Sequence, residues 1–292
     1  YVIISHRWLP GGSEIVFSDM PQLAESYCLS GSLQAPPGKE ESLRKLHGAC
    51  ETVKGLAGQN VNYVWLDTIC IDKSSSSEVS ESLNSMYMWY TKAERCLAYM
   101  SDYQVGSPTS FINSEWFDRG WTMQELVAPS KLEFYDANWR RFGDRSLFTR
   151  ELAQKTGMRS GILSGQITAT HIYHASISHR MSWAARRTMT RKEDIAYCSM
   201  GVFDVNMPVL YGEGMDSAFR RLQEEIIKYS IDHSIFAWTI KEDTCDDSAS
   251  LHSRDYGLLA PSPQCFAETG HFARGHGSEP YVLTNKGLEI SL

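Results

Sequence analysis

The first half of the chain alternates between short apolar or β-branched runs and longer segments with helical spacing. No other feature limits the fold as much. Residues 1–5 (YVIIS), 61–71 (VNYVWLDTICI), 95–100 (RCLAYM) and 131–135 (KLEFY) are predicted strands. Between them, 40–56 repeats Leu43, Leu46, Cys50, Val53 and Leu56 at helical spacing, and 78–93 offers Val79, Leu83, Met86, Met88 and Tyr90. Ser18-Asp19-Met20-Pro21 reads as a helix start, and the serines of 74–77 as a second cap. A third helix is predicted to end near Pro129. Strands alternating with helices give a parallel sheet covered by helices, an α/β fold, in which ligands bind outside the carboxyl ends of the strands. His6-Arg7-Trp8, Asp67 and the loop entering residue 116 are expected on that rim.

The second half reads differently. Residues 146–200 are predicted mainly helical, with a basic turn at 186–191 (RRTMTR). Residues 211–214 (YGEG) form a turn, 216–230 a helix and 234–240 (SIFAWTI) a strand. Residues 241–253 are polar and loop-like, and the tail from Gly257-Leu258-Leu259-Ala260-Pro261 is expected to add a small β extension. The expected organisation is an α/β core over 1–145, a helical extension over 146–240 and a β-rich tail over 241–292.

With 292 residues, 42% of them hydrophobic and 22% charged, the chain can bury a sizeable core. A net charge of −7 with scattered Lys and Arg argues against nucleic-acid binding. The seven cysteines, at 28, 50, 70, 96, 198, 245 and 265, form no CxxC pair. This argues against a zinc ribbon or thioredoxin-like motif, predicts no metal site, and fits a reducing, cytoplasmic compartment. Cys70 and Cys96 sit in apolar runs and read as small buried hydrophobes. No apolar run reaches the length of a membrane span. The chain opens directly in a strand and is expected to be a piece of a longer protein.

Four segments in order, YVIISHRW, VWLDTICIDK, DRGWTMQELVAP and MSWAARRTMTRKEDIAYCSMGVFDVNMPVLYGEG, resemble the fungal heterokaryon incompatibility (HET) domain over most of the chain. The tail segments YGLLAPSPQCF and TNKGLEISL resemble a region that often follows this domain in fungal proteins that also carry NACHT-type nucleotide-binding and WD-repeat regions. The resemblance implies a protein of nonself recognition whose HET domain triggers cell death on self-association. The HET domain is in turn similar, as a remote fold, to Toll/interleukin-1 receptor (TIR) domains, which implies a flavodoxin-like sheet. Many TIR domains cleave NAD with a glutamate on the helix after the third strand, within a Trp-Cys-Leu-x-Glu-Leu pattern in the plant type. Here Trp121, Glu125 and Leu126 match that pattern, and Ile4-Ser5-His6-Arg7 matches part of the first-strand pattern Phe-Ile-Ser-x-Arg. The first crossover is longer than in TIR domains, and residues from 140 onward have no TIR counterpart.

The resemblance thus implies NAD as substrate, no required cofactor, and Glu125 as the catalytic carboxylate. The alternative is a non-enzymatic signalling module that acts through partner binding. Cleaving the nicotinamide–ribose bond needs no strong acid, because the leaving group is already cationic. A carboxylate stabilises the oxocarbenium-like transition state or holds the ribose hydroxyls. Residue types alone leave two roles open at each position. Glu125 is such a carboxylate or an ion-pair partner of Arg119 or Arg7. Trp116 and Trp121 stack on a ligand ring or pack as core. Arg7 holds a phosphate or pairs with Asp67 or Glu125. Ser5 bonds a ligand or caps the strand end, and Trp8 is a stacking wall or an anchor. Asp67, costly to bury alone, positions Arg7 or a ribose. His6 reads as a hydrogen-bonded rim residue. Glu193-Asp194 and the 211–214 turn read as structural joints.

Overall fold

The run VIISH becomes strand β1 (Val2–His6), which is buried along its whole length. A strand covered on both faces needs such a continuous apolar, β-branched run. In the computed structural model, which describes residues 1–56, 61, 63–164, 172, 174–240, 257–272 and 280–290, β1 lies inside a five-stranded sheet. Its neighbours are β2 (Val64–Trp65), β3 (Arg95–Tyr99), β4 (Leu132–Tyr135) and β5 (Arg141–Asp144), in the order β2-β1-β3-β4-β5. The first four strands run parallel, with Val2 opposite Val64 and His6 opposite Tyr99, and β5 returns antiparallel to β4. The α/β class expected from the alternation is the one observed. The strand order reverses between β1 and β3, the point at which doubly wound sheets open a crevice at their carboxyl ends.

The connections carry helices α1 (Met20–Ser30), α2 (Glu40–Gly55) and α3 (Ser76–Lys92). Pro21 sits in the first turn of α1, and the Ser75 hydroxyl accepts from the Glu78 amide at 3.3 Å to cap α3. Val2, Ile4, Leu66, Leu97 and Tyr135 pack with Ala49 and Val53 of α2. Met86 and Tyr90 are the buried large side chains of α3, whereas Met88 points outward. A second cluster joins the rings of Phe111, Phe134, Phe142 and Phe148, with centroids 4.4 to 6.0 Å apart.

Contact clustering divides the chain into two units. The first holds Tyr1–Trp116 and Ala128–Phe148, and the second holds Phe117–Val127 and Thr149–Leu292. The second contains α4 (Thr122–Val127), α5 (Thr149–Thr156), α6 (Ile177–Ser182) and α7 (Met215–Tyr229), the single turns Ser160–Leu163, Asp194–Tyr197 and Met200–Phe203, and a hairpin of β6 (Tyr281–Thr284) with β7 (Gly287–Ile290). One stripe of α7, from Ala218 and Phe219 through Leu222 and Gln223 to Ile226 and Ile227, is buried. The Gln223 amide donates to the Ala260 carbonyl at 2.8 Å and accepts from its N–H at 2.9 Å, so its burial leaves neither group unsatisfied.

Two expectations are corrected. The predicted strand 61–71 is a two-residue strand followed by a helical turn, Asp67–Cys70, in which the Cys70 amide donates to the Leu66 carbonyl at 2.9 Å. Residues 233–236 form a 3₁₀ turn where a strand is predicted, because the Asp232 side chain accepts from Ser234 N–H and starts a helix. The small β extension expected in the tail is the hairpin at 281–290. The loop expected over 241–253 lies outside the described residues.

Candidate functional site

At the carboxyl end of β1 the chain turns through Arg7 and Trp8. The Trp8 indole N–H donates to Asp67 at 2.9 Å, and Lys73 Nζ stands 3.4 Å from the ring centroid. Asp67 therefore positions Trp8 and not Arg7. It also lies 3.8 Å from Lys73 Nζ and from His6 Nε2. The turn Asp67–Cys70 is what lifts this carboxylate off the strand and toward the indole. Arg7 pairs instead with Glu115, and both side chains are about half exposed. Glu115 is fixed through its backbone N–H, which donates to Asp102 at 2.7 Å just past the end of β3.

Beneath this rim is a buried polar cluster. His6 shares a 3.2 Å hydrogen bond with Glu14, which also pairs with Lys45 and accepts from the Ser42 hydroxyl at 2.7 Å. Burial pushes the Glu14 carboxyl up, but the hydrogen bond and charge of His6 and the charge of Lys45 outweigh it and hold the group at about 2. Burial, then the Lys45 charge, lowers the His6 imidazole below its ordinary value. Its Nδ1 has no hydrogen-bond partner among the described residues. Glu14, Ser42 and Lys45 escaped the sequence reading. The legible signal is a Lys and a Ser within the buried stripe of α2, where an unpaired charge is unaffordable.

Ser5 and Trp116 lie deeper. Both are buried, the Trp116 indole N–H donates to Ser5 Oγ at 2.8 Å, and the Trp116 ring meets Phe134 edge-on at 6.1 Å. Trp116 is thus a core anchor. Ser5, His6, Arg7, Trp8, Asp67 and Trp116 all belong to the first unit, and the structure gathers them around the end of β1.

Arg119, Trp121 and Glu125 belong to the second unit. The Trp121 indole N–H donates to Asp194 at 3.2 Å, and the Tyr211 hydroxyl donates to the other Asp194 oxygen at 2.9 Å. Burial raises the Asp194 carboxyl, against these two hydrogen bonds. The neighbouring Glu193 accepts from the amides of Gly212 and Gly214 at 2.9 and 3.2 Å. The Glu193-Asp194 pair and the 211–214 turn thus form one joint inside this unit. The Arg119 carbonyl accepts from the Arg187 guanidinium at 2.7 Å, and the same group donates to Thr122 Oγ1 at 2.9 Å. Burial lowers Arg187 to about 10, against the opposing charges of Cys198, Asp118 and Glu125. Glu125 lies on α4 with 8% exposure. Gly120 is closely approached: a Cβ there would run into the thioether end of Met189, which would have to move aside, and lie 3.3 Å from Cys198 Sγ.

What these groups can do is specific to each unit. The β1 rim presents an exposed guanidinium and an indole held edge and face, suited to a phosphate and a planar ring. The second unit presents a nearly buried carboxylate on a short helix. No cluster of His, Cys, Asp or Glu able to hold a metal occurs among the described residues, and no helix among them is long and apolar enough to cross a membrane.

Comparison with known proteins assigns the family. Residues 1–110 match the family described as "Heterokaryon incompatibility protein (HET)", and residues 217–273 match a "Domain of unknown function (DUF8212)". The chain is 34% identical to "Vegetative incompatibility protein HET-E-1" of Podospora anserina over 97% of its own length, and spans 20% of the length of that protein. No solved structure matches. The chain carries a HET domain over residues 1–110 and is a HET-domain protein.

Proposed function

We propose that this chain is the effector part of a longer fungal protein of vegetative incompatibility, and that on self-association it hydrolyses NAD and so triggers cell death. The name and coverage of the Podospora relative support the incompatibility role and a longer parent chain. NACHT-type and WD-repeat regions are the expected remainder. The observation that carries the nucleotide reading is the β1 rim, where Arg7 and Trp8 stand at the switch point of a 2-1-3-4-5 sheet. Glu125, in a motif resembling the TIR glutamate motif, is the proposed catalytic carboxylate.

In this reaction the bond between ribose C1′ and the nicotinamide nitrogen breaks. Its electron pair stays on the ring nitrogen and neutralises the pyridinium. Water adds to C1′ and releases a proton, giving ADP-ribose and nicotinamide. Glu125 stabilises the oxocarbenium-like transition state or holds the ribose hydroxyls. Within the first unit, the β1 rim offers Arg7 as a group suited to a phosphate and Trp8 as one suited to a planar ring.

The test is NAD consumption with product analysis for the wild-type chain and Glu125→Gln, each fused to an oligomeriser. Nicotinamide release by the wild type alone is the expected result. An assembled, cell-killing wild type that leaves NAD untouched overturns the proposal and assigns a non-enzymatic signalling role.

A further inference from the structure

The second unit contains a cavity of about 350 Å³ that the proposed reaction does not use. Lys155, Arg186 and Arg187 bring three cations to its lining, against one carboxylate, Asp118, which is already paired with Lys155 at 2.8 Å. Phe117 and Trp183 add aromatic surface, and each is buried. Glu125 does not line it.

Two features point to an anionic ligand. Arg187 is a fixed cation: its Nε donates to the Trp183 carbonyl at 3.1 Å, and it is held from the other side by the Arg119 carbonyl and Thr122. Arg186 can reorient, because its side chain is 77% exposed and its ion pair with Glu268 is long at 3.8 Å. Guanidinium forks match phosphate oxygens in geometry and charge. The volume lies at the low end of the roughly 300–1,000 Å³ typical of small-molecule sites, which suits a mononucleotide and not a dinucleotide.

We propose that this cavity binds a small phosphorylated ligand of mononucleotide size, with its phosphate against Arg186 and Arg187. The site is independent of the NAD reaction, and either assignment can fail without the other.

The test is calorimetric titration of the whole chain with AMP, adenosine and inorganic phosphate. AMP is expected to bind, adenosine to bind far more weakly, and phosphate to compete with AMP. Arg186→Ala, at an exposed position that folding does not depend on, weakens AMP by about tenfold or more, the loss expected for a charge-assisted hydrogen bond. Glu268→Gln, which releases Arg186, tightens it. No heat from AMP, adenosine binding as tightly as AMP, or unchanged AMP affinity in both Arg186→Ala and Lys155→Ala overturns the proposal.

Discussion

The Trp116 indole N–H donates to the Ser5 hydroxyl at 2.8 Å, tying together residues 111 positions apart. Both groups are buried, so the bond is made in the core around β1. Ser5→Ala removes it and is expected to destabilise the chain by about 1–3 kcal/mol. Urea denaturation followed by tryptophan fluorescence measures this. A midpoint identical to wild type would mean that the bond contributes nothing.

Glu14 compensates the buried Lys45 ammonium. Glu14→Gln removes that compensating charge and should cost about 3–5 kcal/mol at neutral pH. The pH dependence follows from two groups. Glu14 is held at about 2, below its ordinary 4.5, so its contribution is complete above 4.5 and is lost as pH falls toward 2. His6 is lowered below 6.5 by burial and then by Lys45, so the unfolded chain takes up that proton first and stability also falls as pH drops through 6.5. Acid therefore weakens the fold twice over, and in Glu14→Gln the limb below pH 4.5 flattens. Stability curves from pH 7 to 3 for the two proteins test it.

Arg7 and Glu115 form an ion pair with both partners about half exposed. Such pairs contribute about 0–1 kcal/mol. Arg7→Ala should therefore leave the denaturation midpoint nearly unchanged. If Arg7 holds a phosphate of NAD, the same variant raises KM of the assembled enzyme by about tenfold or more. A large loss of stability would instead make Arg7 a structural residue.

Gly120 is close-packed against Met189 and Cys198. Gly120→Ala is expected to overpack this site and cost about 1–3 kcal/mol. Thermal melting checks it. Gly120→Ala combined with Met189→Ala, which opens the space, should recover part of the loss.

Much of the fold can be read from residue patterns, and the reasons are local. β1 and β3 are dense in apolar residues and bounded by breaks, α2 and α3 keep helical spacing, and Ser75 caps α3. The run 61–71 misleads because a short apolar stretch serves a strand or a helical turn equally well, and only the Trp8–Asp67 bond reveals which. β5 is illegible: RFGD carries charge and a glycine, and it becomes a strand by pairing with β4, with Gly143 leaving room for Phe148. At the site, the position of His6, Arg7, Trp8 and Asp67 near one strand end follows from topology alone. Their pairing does not. Arg7 meets Glu115 through a loop whose course depends on Asp102, and no periodicity encodes that.

The chain passes from the first unit to the second at Trp116, comes back at Ala128 and leaves again after Phe148. A fragment cut at residue 110, where the HET match ends, would lose β4 and β5 and bare the edge of β3 that β4 pairs with. It would also discard Trp116, the donor to Ser5. The stretch covered by the family match is thus shorter than the sheet it belongs to. Dissection of this protein for activity should respect the second boundary, or an inactive fragment will report only on its own unfolding.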